Sequence, residues 1–190
     1  MIEKRREVIP LELQKTRIRP WSREWKAIRQ MLNSEFPEDE RVPLHILRFG
    51  TLRKDYICNF FRDGDKLAGF SYLQLADQAV FILYLAVNPE LQSRGYGTAI
   101  LKELERNYPA YQIDVHIEAP KNPGSNKEQD ARRYRFYERA GFRSTGWITK
   151  DDDTWYRILS NRGEAFDPEK HRVFLGKDGD TGDYTFYYEP

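Results

Sequence analysis

The chain has 190 residues, 39% hydrophobic and 14% aromatic, with 31 basic and 30 acidic side chains and a single cysteine. That length suits one domain with its own core, and so many aromatics argue against a disordered chain. Near-cancelling charge removes any global attraction to nucleic acid or an anionic membrane, one cysteine excludes an internal disulfide framework or a multi-cysteine zinc site, and no apolar run approaches the roughly 20 residues of a membrane span.

The N-terminus, MIEKRREVIPLEL, is basic but is not followed by an apolar run of signal length, so a soluble cytoplasmic protein is expected. Residues 22–34 read as a helix capped by Ser22, with Trp25, Ile28 and Leu32 on one stripe, and 43–53 suggest a second short helix. Tyr56, Cys58 and Phe60 alternate as in a strand, and Asp63-Gly64-Asp65 supplies a hairpin turn. Strands follow at 66–75 and 79–87. The latter, AVFILYLAV, is apolar on both faces and belongs at the centre of a sheet.

Asn88-Pro89-Glu90 ends that strand, and a helix follows the turn that holds Gly95 and Gly97, with Ile100, Leu101, Leu104 and Tyr108 as its buried stripe. Residues 113–118 read as a strand. A polar loop over about 119–128 precedes a helix ending at Ala140-Gly141, and 142–148 and 154–159 form a hairpin around Lys150–Asp153. Residues 167–175 add a helix, and the tail runs through a polar Gly/Asp stretch into aromatics at 184–188. The order is helices, a meander of strands, then strand-helix-strand-helix-strand-strand, which is a mixed α/β sheet in one domain. The domain spans residues 1–160, with its core at about 15–160, and 161–190 form an extension packed on or beside it.

The segment Gln92-Ser93-Arg94-Gly95-Tyr96-Gly97 lies between a strand and a helix. The first turn of a helix has unpaired N–H groups and partial positive charge, which suit a diphosphate. Glycines let the backbone approach phosphate oxygens closely. Gln92 and Arg94 add donors and Thr98 a hydroxyl. A P-loop needs Lys-Ser/Thr where Thr98-Ala99 stand, and a dinucleotide fingerprint needs glycine where Ile100 stands. Taken alone, Gly-x-Gly also suits an ordinary strand-to-helix turn.

The stretch from Leu85 to Thr98 resembles the acetyl-CoA signature of the GNAT family of N-acetyltransferases, Gln/Arg-x-x-Gly-x-Gly/Ala, through Gln92, Gly95 and Gly97. The element order from about 15 to 160 resembles that family's fold as well. The resemblance implies a mixed, mostly antiparallel central sheet flanked by helices and splayed between the fourth and fifth strands. It implies acetyl-CoA as acyl donor and no metal. Leu85, Ala86 and Val87 would offer backbone groups to the pantetheine arm, with the amide of Val87 or a neighbour facing the thioester carbonyl. Gln92, Ser93, Arg94, Gly95, Tyr96, Gly97 and Thr98 would hold the pyrophosphate.

Further on, Tyr137, Gly141 and Phe142 resemble the family's Tyr-x-x-x-Gly-Phe motif, which implies that Tyr137 protonates the departing CoA thiolate. A phenol near pKa ~10 faces only a modest uphill gap to a thiol near ~8.5. Tyr134, one helical turn earlier, is the second choice, and core packing would account for either tyrosine. Many members carry Asn seven residues before this tyrosine and a small residue four before it. Here Asp130 and Arg133 stand there, and Asn122 and Asn126 are the candidates to replace the lost contact.

An ammonium must lose a proton before its nitrogen can attack. On the strand at 113–118, Ile113, Val115 and Ile117 face one way and Asp114, His116 and Glu118 the other. The resemblance implies a glutamate base in this region, so Glu118 is the first choice and His116, with a reference pKa of about 6.5, the second. A solvated polar face would give the same pattern, and these residues fit no recognised zinc spacing. Cys58 reads as a packed small hydrophobe, and Asp151–Asp153 as a solvated hairpin tip or part of an entrance attracting cationic substrates. Trp155, Tyr156 and the 184–188 aromatics read as edge-strand packing, an acceptor pocket or a dimer surface.

The implied reaction is acetyl transfer from acetyl-CoA to a primary amine of a small molecule, peptide or protein by direct attack. The alternatives are a non-catalytic acyl-CoA-binding module and transfer of a longer acyl group. No nucleic acid or membrane partner is expected, and the resemblance leaves room for a homodimer.

Overall fold

The structure is a computed structural model that describes residues 11–38, 40–123, 126–151, 153–175 and 185–189. The basic stretch at 1–10, the Gly/Asp stretch of the tail and Tyr184 lie outside the described residues. Among the described residues, eight strands form one sheet: β1 (Gln14–Ile18), β2 (Tyr56–Asp63), β3 (Lys66–Ala76), β4 (Ala79–Val87), β5 (Gln112–Glu118), β6 (Arg143–Asp151), β7 (Thr154–Ser160) and β8 (Thr185–Tyr188). Their order is β1-β2-β3-β4-β5-β7-β6-β8. Only the β4–β5 pair is parallel. The α-helices among the described residues are α1 (Trp25–Glu35), α2 (Leu44–Gly50), α3 (Tyr96–Asn107), α4 (Lys127–Arg139) and α5 (Pro168–Arg172). Among the described residues, no helix is long and apolar enough to cross a membrane.

Apolar layers cover both faces. On one, Ile100, Leu101 and Leu104 of α3 meet Val80, Ile82, Ile113, Val115 and Ile117, joined by Tyr137 and Phe142. Each such fully buried aliphatic side chain stabilises the fold by roughly 1.5–3 kcal/mol. On the other face, Trp25, Ile28, Met31 and Leu32 of α1 pack on Cys58, Phe60, Phe70, Tyr72, Tyr84 and Ala86. Farther along that face, Phe174 from the extension packs with Ala79 and Phe81.

Two irregularities open the sheet at its centre. In the β3–β4 ladder, Tyr72 pairs with Tyr84 but Leu73 pairs with Ile82, so Leu83 is a bulge. The extra residue reverses the alternation. Val80 and Ile82 face α3 before it, and Leu85 and Val87 do so after it. The β4–β5 ladder runs from Ala79–Gln112 to Ile82–Val115 and stops there. Beyond that point β5 continues with β7 as its only ladder partner, and a fork opens between β4 and β5.

Some boundaries differ from the sequence reading. Ser22 does not cap α1. Its Oγ accepts from the Arg19 amide and closes the preceding turn, and α1 begins at Trp25 with no side-chain cap. Strand β1 was not anticipated, because QKTRI on a sheet edge is exposed at all but its last residue and carries no apolar alternation. The described residues after Ser160 are fastened to the sheet. Asn161 exchanges hydrogen bonds with the backbone of Ile113, and β8 pairs with β6.

Candidate functional site

The fork leads into a cleft of ≈ 740 Å³ between β4, the glycine loop and α4. Its floor is Leu85, Ala86 and Val87, and its end wall is Gln92, Ser93, Gly95, Tyr96, Gly97 and Thr98. These are the residues expected to hold the donor, with one exception: Arg94 does not line the cleft.

The loop owes its shape to two left-handed residues, Ser93 (φ 62°) and Gly95 (φ 88°). Gly95 is needed for that conformation, since its missing Cβ would meet little. Gly97 is needed for space: a Cβ there would lie 2.8 Å from Phe136 Cε2 of α4. Helix α3 starts at Gly95 with no side-chain cap and no acidic residue in its first turn. Its leading N–H groups therefore remain for an anion. Tyr96 fixes this end, donating from Oη to Asp63 Oδ2 at 2.6 Å across to the β2–β3 hairpin. Gln92 lines the cleft, and its amide donates to Glu35 Oε2 of α1 at 2.7 Å, so it braces the loop.

The other wall was not anticipated. Gln129, Arg132, Phe136 and Arg139 recur at helical spacing along α4 and face the cleft, with Arg133 beside them. Arg132 Nη2 approaches Ser93 Oγ at 3.4 Å. The spacing was visible in the sequence, but nothing there placed this helix against the glycine loop. Glu35 and Glu128 also line the cleft. Of the two asparagines proposed as substitutes, Asn122 is a structural clamp: its amide donates to Trp155 O and its carbonyl accepts from Trp155 N. Asn126 caps α4 and lines the cleft. Asp130 Oδ2 is buried without a partner among the described residues.

Tyr137 lies behind this wall, 6% exposed, edge-on to Phe136 and Phe142. Among the described residues its hydroxyl makes no hydrogen bond. Burial pushes it up to about 12, against a smaller opposing effect of Arg133. Tyr134 instead packs under the guanidinium of Arg157. Cys58 is fully buried, and burial raises its thiol out of reach of neutral-pH chemistry.

The polar face of β5 is not a solvated surface. Asp114 is 0% exposed and accepts at Oδ2 from Gln112 Nε2 (2.8 Å) and from His171 Nδ1 (2.9 Å). His171 Nε2 lies 2.9 Å from His116 Nε2, and Phe81, Phe174 and Tyr156 surround the pair. Burial, reinforced by His171, holds His116 well below the usual imidazole range. Glu118 follows on the same face, opposite Tyr156. Burial and then the carboxylates of Glu40, Asp151 and Glu118 raise the Tyr156 phenol. No group of metal-ligating side chains occurs among the described residues.

A bulged central strand, a fork beside it and an uncapped, glycine-led helix at its end together define a cofactor-cleft acyltransferase fold. The family model described as "Acetyltransferase (GNAT) family" matches residues 25–142, and the chain belongs to this family. No curated protein matches it by sequence. Among solved structures, a GNAT-family acetyltransferase from Bacteroides thetaiotaomicron is 23% identical, with a TM-score of 0.68 over 84% of this chain and 95% of that one. An aminoglycoside 6′-N-acetyltransferase complexed with coenzyme A is 14% identical, with a TM-score of 0.60 over 77% and 95%. An N-acetyltransferase from Thermoplasma acidophilum in complex with coenzyme A is 14% identical, with a TM-score of 0.55 over 77% and 98%.

Proposed function

We propose that the protein transfers an acetyl group from acetyl-CoA to a primary amine of a small molecule or peptide by direct attack on the thioester. The observation that carries this reading is the conjunction at the fork. A strand edge without a strand partner, Leu83–Val87, leads directly to an uncapped helix terminus that suits a diphosphate. The pantetheine arm has amides that can pair with such an edge as an added strand would. Two proteins with this fold are complexed with coenzyme A, which supports an acyl-CoA donor.

The donor then lies on the α3–α4 side, its diphosphate at Ser93–Thr98 and its other phosphate beside Arg132, Arg133 and Arg139. The thioester reaches the fork, where backbone N–H groups of β4 would stabilise the developing oxyanion. The acceptor enters from the α1–α2 side. Glu40, Glu118 and Asp151 all act on Tyr156 there, so this approach favours a cationic amine.

Tyr137 serves the leaving thiolate as a hydrogen-bond donor. Complete proton transfer from a phenol at about 12 to a thiolate whose acid lies near ~8.5 would be uphill by roughly 5 kcal/mol, whereas hydrogen bonding in a dry site stabilises the thiolate without it. The base is drawn from the polar face of β5, which carries Glu118 and His116. Thiol release from acetyl-CoA across a panel of amines tests this reading. Binding without turnover on any of them would favour a non-catalytic acyl-CoA sensor.

A further inference from the structure

We propose that His116 accepts the proton from the acceptor amine and that His171 and Asp114 act behind it as a proton relay, which brings the C-terminal extension into the reaction centre. This rests on the acyltransferase reading. The last ladder pair of β4 and β5 is Ile82–Val115. His116 is therefore the first residue of β5 past the point where the strands part, with the bulge residue Leu83 at the corresponding place on β4. It lies on the face opposite Leu85 and Val87, where the acceptor must enter if the donor occupies the other.

The hydrogen-bond chain sets every tautomer in turn. Asp114 Oδ2 accepts from Gln112 Nε2 and from His171 Nδ1, so the His171 hydrogen sits on Nδ1. With a single hydrogen on each ring in the resting arrangement, His171 Nε2 is then an acceptor, and the hydrogen in the 2.9 Å contact belongs to His116 Nε2. That leaves the lone pair on His116 Nδ1, which has no partner among the described residues. Asp114 and His171 are both 0% exposed, and His116 is partly exposed, so only the last member of the chain can meet substrate.

The relay answers a difficulty. Burial disfavours a charged His116, and alone it would be a weak base. When an ammonium gives a proton to Nδ1, His116 can pass its Nε2 proton to His171, and the cation then rests beside the Asp114 carboxylate. The free amine attacks the thioester carbonyl. A C–N bond forms, the C–S bond breaks, and the second proton lost by the nitrogen balances the thiolate as CoA thiol. The relay returns its proton to solvent as products leave. The charged or titratable groups around His116 are Asp114 and Glu118 from β5, Tyr156 from β7 and His171 from α5. Phe81 of β4 adds none.

His171 is held in place by the extension itself. Gln112 binds both the carbonyl and the amide of Asp167, and Asp167 caps α5. Asp114 and His171 are thus positioning residues, and His116 is the catalytic one.

The test is the pH dependence of kcat for an amine turned over with acetyl-CoA, in wild type, His116→Gln, His171→Gln and Asp114→Asn. At pH 7 His116→Gln should lose about 100-fold or more, with KM for acetyl-CoA little changed. The deficits of all three variants should shrink as pH rises toward the amine's own pKa, because solvent then deprotonates the nucleophile. A purely structural defect would not recover in this way. Long-range proton–nitrogen NMR of the wild-type histidines gives a readout independent of turnover and of variant folding. It should find hydrogen on His116 Nε2 and His171 Nδ1. The opposite tautomers, wild-type kcat in His116→Gln, or a deficit that does not change with pH would each overturn the relay alone. Failure of wild type to bind acetyl-CoA or to acylate any amine would instead overturn the acyltransferase reading, and the relay's role with it.

Discussion

The ring of Phe136 lies against Gly97 so closely that a Cβ at residue 97 would stand 2.8 Å from Cε2 and 2.9 Å from Cζ. This contact joins the two helices that wall the cleft, α3 with its glycine-led start and α4 with its arginines. Gly97→Ala should keep the fold but push the two walls apart, weakening acetyl-CoA binding about 10-fold, the scale of a modest overpacking strain. Shrinking the ring in the double variant Gly97→Ala/Phe136→Leu should recover part of that loss. Calorimetric titration of wild type, Gly97→Ala, Phe136→Leu and the double variant measures the coupling, and simple additivity would contradict it.

Tyr137 is 6% exposed and its hydroxyl makes no hydrogen bond among the described residues, so its removal costs none there. Tyr137→Phe should melt no lower than wild type near neutral pH while kcat falls about 10-fold or more with acetyl-CoA affinity unchanged. The alkaline limb supplies a second check. The folded-state pKa is raised to about 12 from an ordinary 10, so the native state holds the proton more tightly. Stability should therefore fall as pH rises through the window from 10 to 12, by at most about 3 kcal/mol from this group. Tyr137→Phe should show a shallower decline, and identical alkaline limbs would contradict the burial argument.

Arg132 and Arg139 line the cleft one above the other on α4. Charge reversal is unnecessary to expose their role. Arg132→Gln and Arg139→Gln should each weaken acetyl-CoA binding roughly 5- to 10-fold and flatten its salt dependence. Affinities measured at two ionic strengths check this. Equal salt slopes in wild type and variants would place the donor's phosphates elsewhere.

His116 is held below its ordinary 6.5, chiefly by burial. The unfolded chain therefore binds a proton that the native state refuses, and stability from this group is lost as pH falls below about 6.5. A variant that cannot titrate, His116→Gln, should lose less stability than wild type between pH 6.5 and 4.5 in denaturant titrations.

The sequence carried much of this. The alternation of β2 and β3 and the doubly apolar AVFILYLAV placed the central strand correctly, and the glycine loop leads into α3 as expected, because local propensity and tertiary role agree there. The alternation of Asp114, His116 and Glu118 was also visible. Its meaning was not, since a solvated face and a buried relay share one pattern. His171, the residue that decides between them, lies 55 positions from His116 and reaches it only through the fold. The same holds for Gln92, whose donor goes to Glu35 on α1, and for the left-handed Ser93, a conformation that nothing in Gln-Ser-Arg announces. β1 escaped notice because an edge strand paired on one side and bare on the other needs no apolar alternation.

The central claim is that the fork between β4 and β5 delivers an acyl thioester to an amine. Its most direct test is continuous detection of free CoA thiol from acetyl-CoA as cationic primary amines are added one at a time, with mass analysis of each amine. At least one amine should gain a single acetyl group in step with thiol release, and Gly95→Val should abolish both. Thiol release that no amine accelerates, or amine acetylation that persists in Gly95→Val, would contradict it.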